Sequence, residues 1–168
     1  MRKTMESSIR RGEIADAPAI VKILNHYITH TTVSFELEPV SEEEMTRRIT
    51  EIAAHYPYFV YTEDGEVKGY CYVHKWKERK AYSQTAETTI YLHPAVRQSG
   101  IGTRLMRQLI EECRKAGLKS LIACVTEENV ESMRFHEKIG FEKVSHFRSV
   151  GRKFDRWLDV IDYELLLK

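Results

Sequence analysis

Val96, Arg97, Gln98, Ser99, Gly100, Ile101, Gly102 and Thr103 form the stretch of this chain best suited to binding chemistry. Two glycines one residue apart let the backbone approach a ligand with no side chain in the way. A strand-like run, residues 88–92, precedes the stretch, and a strongly helical one, residues 103–115, follows it. Such a helix aims its first free N–H groups and the positive end of its dipole into the loop. Strand, glycine loop and helix N-terminus together make a cradle for phosphate. The loop lacks the third glycine of a dinucleotide fingerprint and the Gly-Lys-Ser/Thr ending of a Walker loop. Taken alone, it also fits a plain turn.

Two other residue sets bear on chemistry. His26 and His30 are four apart on a helical run, but no third ligand or acidic cluster accompanies them, so they read as surface histidines rather than a metal site. Cys71, Cys113 and Cys124 form no Cys-x-x-Cys pair. Each lies in an apolar run and is expected to be a buried free thiol.

The elements that must position the loop follow from periodicity. After a polar leader, residues 1–8, a brief strand is expected at 9–12. A helix then starts near Asp16, a good N-cap, with Pro18 in its first turn and Ile20, Ile23, Leu24, Tyr27 and Ile28 on one face. Ser41 and Glu44 read as a capping box opening a helix to about His55. Residues 58–61, the turn Asp64-Gly65 and residues 67–73 read as a hairpin. A basic, aromatic connection over 75–82 leads to a strand at 84–92, ended by Pro94. The helix behind the glycine loop carries Ile101, Leu105, Leu109, Ile110 and Cys113 on one side and stops at Gly117. A buried-type strand at 120–125, a helix at 130–138 closed by Gly140, and strands at 143–150 and 157–166 complete the order β-α-α-β-β-β-α-β-α-β-β. The expectation is one α/β domain over residues 9–168, with a mixed sheet.

Composition agrees with a single domain of 168 residues that buries a real core. Twenty-six basic and 25 acidic residues leave a net charge of +1, which argues against a general nucleic-acid binder. No apolar run approaches bilayer length and no hydrophobic signal region opens the chain, so a cytoplasmic protein without a membrane partner is expected.

The segment Arg97-x-x-Gly100-x-Gly102 resembles the pyrophosphate loop of the GNAT acyl-CoA N-acyltransferases. Asn129-x-x-Ser132-x-x-x-His136-Glu137-Lys138-x-Gly140-Phe141, following a strand, is similar to that family's second CoA-contacting segment. The run Ala86-Glu87-Thr88-Thr89-Ile90-Tyr91-Leu92-His93-Pro94, the use of His136 and the late stretch from Gly151 to Val160 narrow the likeness to the phosphinothricin acetyltransferase-like branch. That branch acetylates phosphinothricin, methionine sulfoximine, methionine sulfone and related amino acids. The likeness runs from about Ile9 to Leu165.

The resemblance implies the GNAT fold, a mixed and largely antiparallel central sheet flanked by helices. It implies acetyl-CoA as cosubstrate, no metal, a small amino-acid acceptor and a homodimer. Contacts to acetyl-CoA are then expected from Ile90, Tyr91, Leu92, Arg97, Gln98, Ser99, Gly100, Ile101, Gly102, Thr103, Asn129, Ser132 and Lys138. Glu87 becomes the base that takes a proton from the α-amine, because only the neutral amine attacks a thioester. Read without the resemblance, Glu87 is first of all a solvent-facing strand residue, since it alternates with Thr89 and Tyr91. His136 has three readings: an acid toward the departing thiolate, a group orienting the cofactor, or a half-buried helix histidine. Backbone N–H groups near Tyr91 and Leu92 are candidates to support the thioester oxygen, if strands splay there. Lys77, Arg79 and Tyr82 are candidates to grip the substrate carboxylate, or simply a solvated basic loop. Phe35, Thr88 and Thr89 are candidates to line the acceptor pocket; for Phe35, plain packing is the alternative.

Three other functions stay open at this point: acetyl transfer to a polyamine or protein N-terminus, a non-catalytic CoA sensor, and nucleic-acid binding through Lys75, Trp76, Lys77, Arg79 and Lys80. The absence of an acidic groove weighs against cationic acceptors, and Glu87 weighs against a sensor.

Overall fold

The computed structural model describes residues 3–96 and 100–168. Among these residues, seven strands form one sheet in the order β1-β2-β3-β4-β5-β7-β6. They are β1 (Ser7–Arg11), β2 (Tyr58–Glu63), β3 (Glu66–Lys75), β4 (Thr85–Leu92), β5 (Ser120–Thr126), β6 (Glu142–Lys153) and β7 (Arg156–Leu166). Only β4 and β5 run parallel; the other neighbours are antiparallel. The helices are α1 (Ala17–His30), α2 (Glu42–Ala53), α3 (Ile101–Lys115) and α4 (Val130–Lys138). None is long and apolar enough to cross a membrane. The mixed, largely antiparallel sheet flanked by helices is the architecture expected from the sequence.

Each face of the sheet has its own core. On one face, Leu105, Met106, Leu109 and Cys113 of α3 pack against Cys71, Val73, Ala86, Leu121, Ala123 and Val125 of the strands, with Phe141 and Tyr163 beneath α4. On the other, Ile20, Ile23, Leu24 and Ile28 of α1 and Met45 and Ile49 of α2 cover Tyr58, Val60 and Tyr70. The period-two alternation of the strands makes this possible, since successive side chains serve opposite cores. Ala86 therefore faces α3, and Glu87 faces the α1–α2 side.

Three local expectations change. Asp16 stands at the start of α1 but makes no side-chain cap to that helix. Its carboxylate instead accepts the Glu13 N–H and a two-pronged bond from Arg10, both prongs at 2.8 Å. Ser41 caps α2 by accepting the Glu44 N–H, yet the Glu44 carboxylate turns to Arg47 and Arg48 rather than back to Ser41, so the box is half formed. The last two strands are one long hairpin closed by Phe154 and Asp155, both left-handed at φ 52° and 57°. Neither residue carries the glycine or asparagine signature of such a turn.

Candidate active site

Strands β4 and β5 pair only at Thr85–Ser120, Ala86–Leu121 and Glu87–Ile122. Beyond that point β4 stays with β3 as far as Leu92, and β5 stays with β7 as far as Thr126. The two strands part into a wedge immediately after Glu87, and their facing backbone groups there have no ladder partner across the gap. The Thr126 hydroxyl, on a residue 5% exposed, lies at the far end of β5 with no hydrogen-bond partner among the described residues. A buried polar group of this kind is costly unless a ligand or water satisfies it.

The start of α3 lies beside the far end of β4: a Cβ added at Gly102 would stand 3.8 Å from the Leu92 side chain. Gly100 caps α3 in the left-handed conformation at φ 88°, with open space where a side chain would project. The first helical bond is Arg104 N–H to the Gly100 carbonyl at 3.0 Å. The N–H groups of Ile101, Gly102 and Thr103 thus have no acceptor within the helix, as an anion site requires. Ile101 itself is a core residue, so only its backbone is offered. Arg97, Gln98 and Ser99 lie outside the described residues.

Glu87 sits at the base of the wedge, half-buried. His74 Nε2 lies 2.8 Å from Oε2, and the Cys124 thiol donates to Oε1 at 2.7 Å. Burial pushes the carboxyl up, but the hydrogen bonds from His74 and Cys124 outweigh it and hold Glu87 below the usual carboxylate range. The Glu87 hydrogen bond raises His74 above its ordinary value of 6.5 against the opposing effect of burial. Cys124 corrects the expectation of three buried thiols: Cys71 and Cys113 are buried, whereas Cys124 is exposed beside the carboxylate. Its run of apolar neighbours is misleading, because α1 and α2 lie chiefly over β2, β3 and β4 on that face. Partial desolvation and the neighbours Glu87 and Asp162 drive its thiol pKa strongly upward, so it stays protonated.

Thr89 and Tyr91 share the face of Glu87; Tyr72 is the register partner of Thr89, and Tyr72 and Tyr91 both pack against the α1–α2 core. The Tyr27 ring lies 5.1 Å from that of Tyr91, tilted by 38°, and its hydroxyl donates to the Leu92 carbonyl at 2.5 Å. Thr88 is buried on the opposite face with its hydroxyl on the Ile122 carbonyl at 3.4 Å, and Ile90 and Leu92 also pack toward α3. Their side chains therefore do not join Glu87, leaving their backbone as the part facing the wedge. Lys77 rests over the rings of Trp76 and Tyr82, and Arg79 is exposed nearby, in the connection that joins β3 to β4 at the Glu87 end. Among the described residues neither cation pairs with a carboxylate, which leaves both free for an anionic substrate. Phe35 covers Gly151 of β6, whose backbone it approaches so closely that an added Cβ would meet the ring at 2.3 Å.

Asn129 caps α4 by accepting the Ser132 N–H at 3.2 Å. Replacing Asn129 by Ala removes this cap and is expected to cost about 0.5–2 kcal/mol; a thermal unfolding midpoint equal to that of the parent would contradict the assignment. Lys138 is exposed at the end of the same helix. His136 is 4% exposed between Phe135, Phe141 and Tyr163, with Nδ1 2.7 Å from the Ser132 carbonyl. Burial lowers its pKa despite that bond. At neutral pH it is an uncharged ring whose one proton is committed to its own helix, a poor source of a proton for a thiolate. The exposed cluster of Glu127, His146 and Asp159 has ligand-type atoms within 4.8 Å of one another. There, however, Asp159 already holds the His146 ring and the Ser149 N–H, stabilising the left-handed Ser149 of the β6 bulge.

His74, Cys124 and Asp162 were not visible as site residues in the sequence. Their shared location depends on strand register: His74 opposes Glu87 and Cys124 opposes Asp162.

Comparison with known proteins places this geometry. Residues 9–161 match the model of the acetyltransferase (GNAT) domain. The chain is 34% identical over 152 residues to the phosphinothricin N-acetyltransferase of Streptomyces viridochromogenes, covering 90% of this chain and 83% of that one. It is 33% identical over 164 residues to the L-methionine sulfoximine/L-methionine sulfone acetyltransferase of Salmonella typhimurium, covering 95% and 94%. The phosphinothricin acetyltransferase of Sinorhizobium meliloti, solved with acetyl-CoA, superimposes with a TM-score of 0.92 at 32% identity, over 96% of this chain and 88% of that one.

Proposed function

Since the chain belongs to the GNAT acetyltransferase family and is an N-acetyltransferase, we propose that it moves the acetyl group of acetyl-CoA to the α-amine of a small amino acid by direct attack. The observation that carries this reading is the placement of Glu87 at the point where β4 and β5 part. The thioester arm enters the wedge, its pyrophosphate rests on the Gly100–Thr103 backbone, and the amine reaches it from the open side. Both reactants meet beside one carboxylate, so much of the acceleration comes from holding them together. Deprotonation by Glu87 adds a further factor.

The substrate class rests on chemistry and kinship together. Lys77 and Arg79 pair with no carboxylate among the described residues and stand at the Glu87 end of the sheet, suited to the carboxylate of an amino acid. Two relatives at 33–34% identity are named for phosphinothricin and for methionine sulfoximine or sulfone. A polyamine is the alternative that Glu87 and Asp162, flanking Cys124, would suit. Cys124 is not the acyl carrier in this reading, because two carboxylates hold its thiol protonated. A homodimer drawing on a cytoplasmic acetyl-CoA pool completes the proposal; Val144, Phe147, Val150 and Trp157, exposed on the β6–β7 hairpin, suit a subunit contact.

Thiol release from acetyl-CoA, measured across methionine sulfoximine, methionine sulfone, phosphinothricin, the ordinary amino acids, spermidine and a short peptide, tests the reading. Turnover with at least one amino acid and a product acetylated at the α-nitrogen is expected. Turnover confined to spermidine or the peptide would overturn it, as would silence across the panel.

A further inference from the structure

Glu87 is not an isolated base. Its cross-strand partner His74 holds Oε2 at 2.8 Å, while the His74 Nδ1 lies 2.9 Å from the Lys75 carbonyl. A carbonyl only accepts, so Nδ1 carries a proton and Nε2, facing Glu87, is the nitrogen that titrates. On the other side the Cys124 thiol donates to Oε1. Each carboxylate oxygen has a fixed partner, and at neutral pH only the imidazole exchanges a proton.

We propose that His74 is a positioning residue that completes a two-group base, so that the proton drawn from the acceptor ammonium is shared between Glu87 Oε2 and His74 Nε2. The inference rests on the reading of Glu87 as the base. With His74 neutral, the pair carries one negative charge and no mobile proton. The ammonium gives one proton to the pair, and the freed nitrogen lone pair forms the N–C bond to the acetyl carbon. The C–S bond breaks with its electrons on sulfur, and the second amine proton, lost as the amide forms, ends on the CoA thiolate. The pair rests as imidazolium beside carboxylate until its proton passes to water.

The need for a partner is physical. The hydrogen bond from the Cys124 thiol, joined by one from Nε2 whenever His74 is protonated, stabilises the carboxylate and makes it a poor acceptor toward an ammonium. A base works best when its pKa lies near the working pH. The same bond that weakens Glu87 strengthens His74, so a proton taken by the pair has a resting place above the ordinary histidine value of 6.5. The groups around the pair do not compete for this role. Cys124 from β5, with Asp162 of β7 behind it, keeps its proton. Tyr72 on the same strand, its ring 5.9 Å from that of His74, is held neutral by burial. Lys75 pairs with Glu78, and beneath α2 Arg48 pairs with Glu36.

The test is the pH profile of kcat at saturating substrates for the parent, His74→Gln, His74→Ala and Glu87→Gln. His74 is half exposed, so both of its variants are expected to fold, and unfolding midpoints check this. Glutamine can donate to Glu87, as protonated His74 does, but takes up no proton. The parent kcat should fall as pH drops through a value above 6.5. In His74→Gln this acid limb should move down toward the carboxylate range. At pH 8 its kcat should drop by about tenfold or more, a share of the roughly 10²–10⁴-fold base contribution, with the acetyl-CoA KM within about twofold. His74→Ala should lose at least as much. A parent-like kcat and an unmoved limb in His74→Gln would overturn the inference, as would a lost kcat with the limb unmoved. In either case a dead Glu87→Gln would leave the reading of Glu87 intact. A fully active Glu87→Gln would instead overturn that reading itself.

Discussion

Glu87→Gln is expected to lower kcat by about 10²–10⁴-fold at neutral pH, equivalent to roughly 2.7–5.4 kcal/mol of barrier, while acetyl-CoA binds as before. Glutamine matches glutamate in shape, and its amide can still meet Cys124 and His74, so the base of the wedge keeps its packing. It cannot take a proton from an ammonium. The cofactor contacts assigned to the Gly100–Thr103 backbone are on another element, so calorimetry should give a parent-like acetyl-CoA Kd. Steady-state thiol release measures the loss, and an unchanged rate would remove Glu87 from the mechanism. Raising the pH until the free amine predominates should narrow the gap between variant and parent, because the substrate then arrives already deprotonated.

The second large effect concerns stability. Leu105→Ala should destabilise the protein by about 2–5 kcal/mol, against a total of about 5–15 kcal/mol for an ordinary domain. Leu105 is fully buried where α3 crosses the sheet, near Gly69 of β3, where an added Cβ would come within 3.4 Å of its Cδ1. Neighbouring Met106 and Leu109 are also fully buried, so the site has little room to collapse into the space left. At about 2–4 °C per kcal/mol for a chain of this size, the unfolding midpoint should drop by roughly 4–20 °C. A drop under about 2 °C would mean that α3 is not clamped to the sheet as described. Because α3 carries the glycine loop on its first turn, acetyl-CoA should recover part of the lost midpoint by binding the folded state alone.

The parts of this molecule legible in its sequence are those governed by local spacing. The apolar stripe Ile101, Leu105, Leu109, Ile110 and Cys113 fixes α3 and its inward face. Asp64 and Gly65, both at positive φ, close the β2–β3 hairpin as their types foretell. Glu87 could be singled out only through the family likeness, since alternation alone allows it to be a plain strand residue. The unread parts depend on partners distant in sequence. His74 meets Glu87 through the β3–β4 register, which the intervening connection does not dictate. Cys124 looks buried among Ile122, Ala123 and Val125, yet its side of β5 lies beyond the cover of α1 and α2. The long β6–β7 hairpin escaped because the left-handed Phe154 that opens its turn and the left-handed Ser149 of its bulge are types that do not announce such backbone; of the three, only Asp155 does.

The central claim is that the wedge beside Glu87 joins acetyl-CoA to an amine carried by an amino acid. It is tested most directly by comparing kcat/KM for L-methionine sulfone with that for the same molecule lacking its α-carboxylate. Lys77 and Arg79 can hold only the first by its anion, so a preference of more than about tenfold, worth at least roughly 1.4 kcal/mol, is expected for the amino acid. Equal efficiencies, or faster transfer to the decarboxylated amine, would contradict the account and point to a cationic acceptor lying between Glu87 and Asp162.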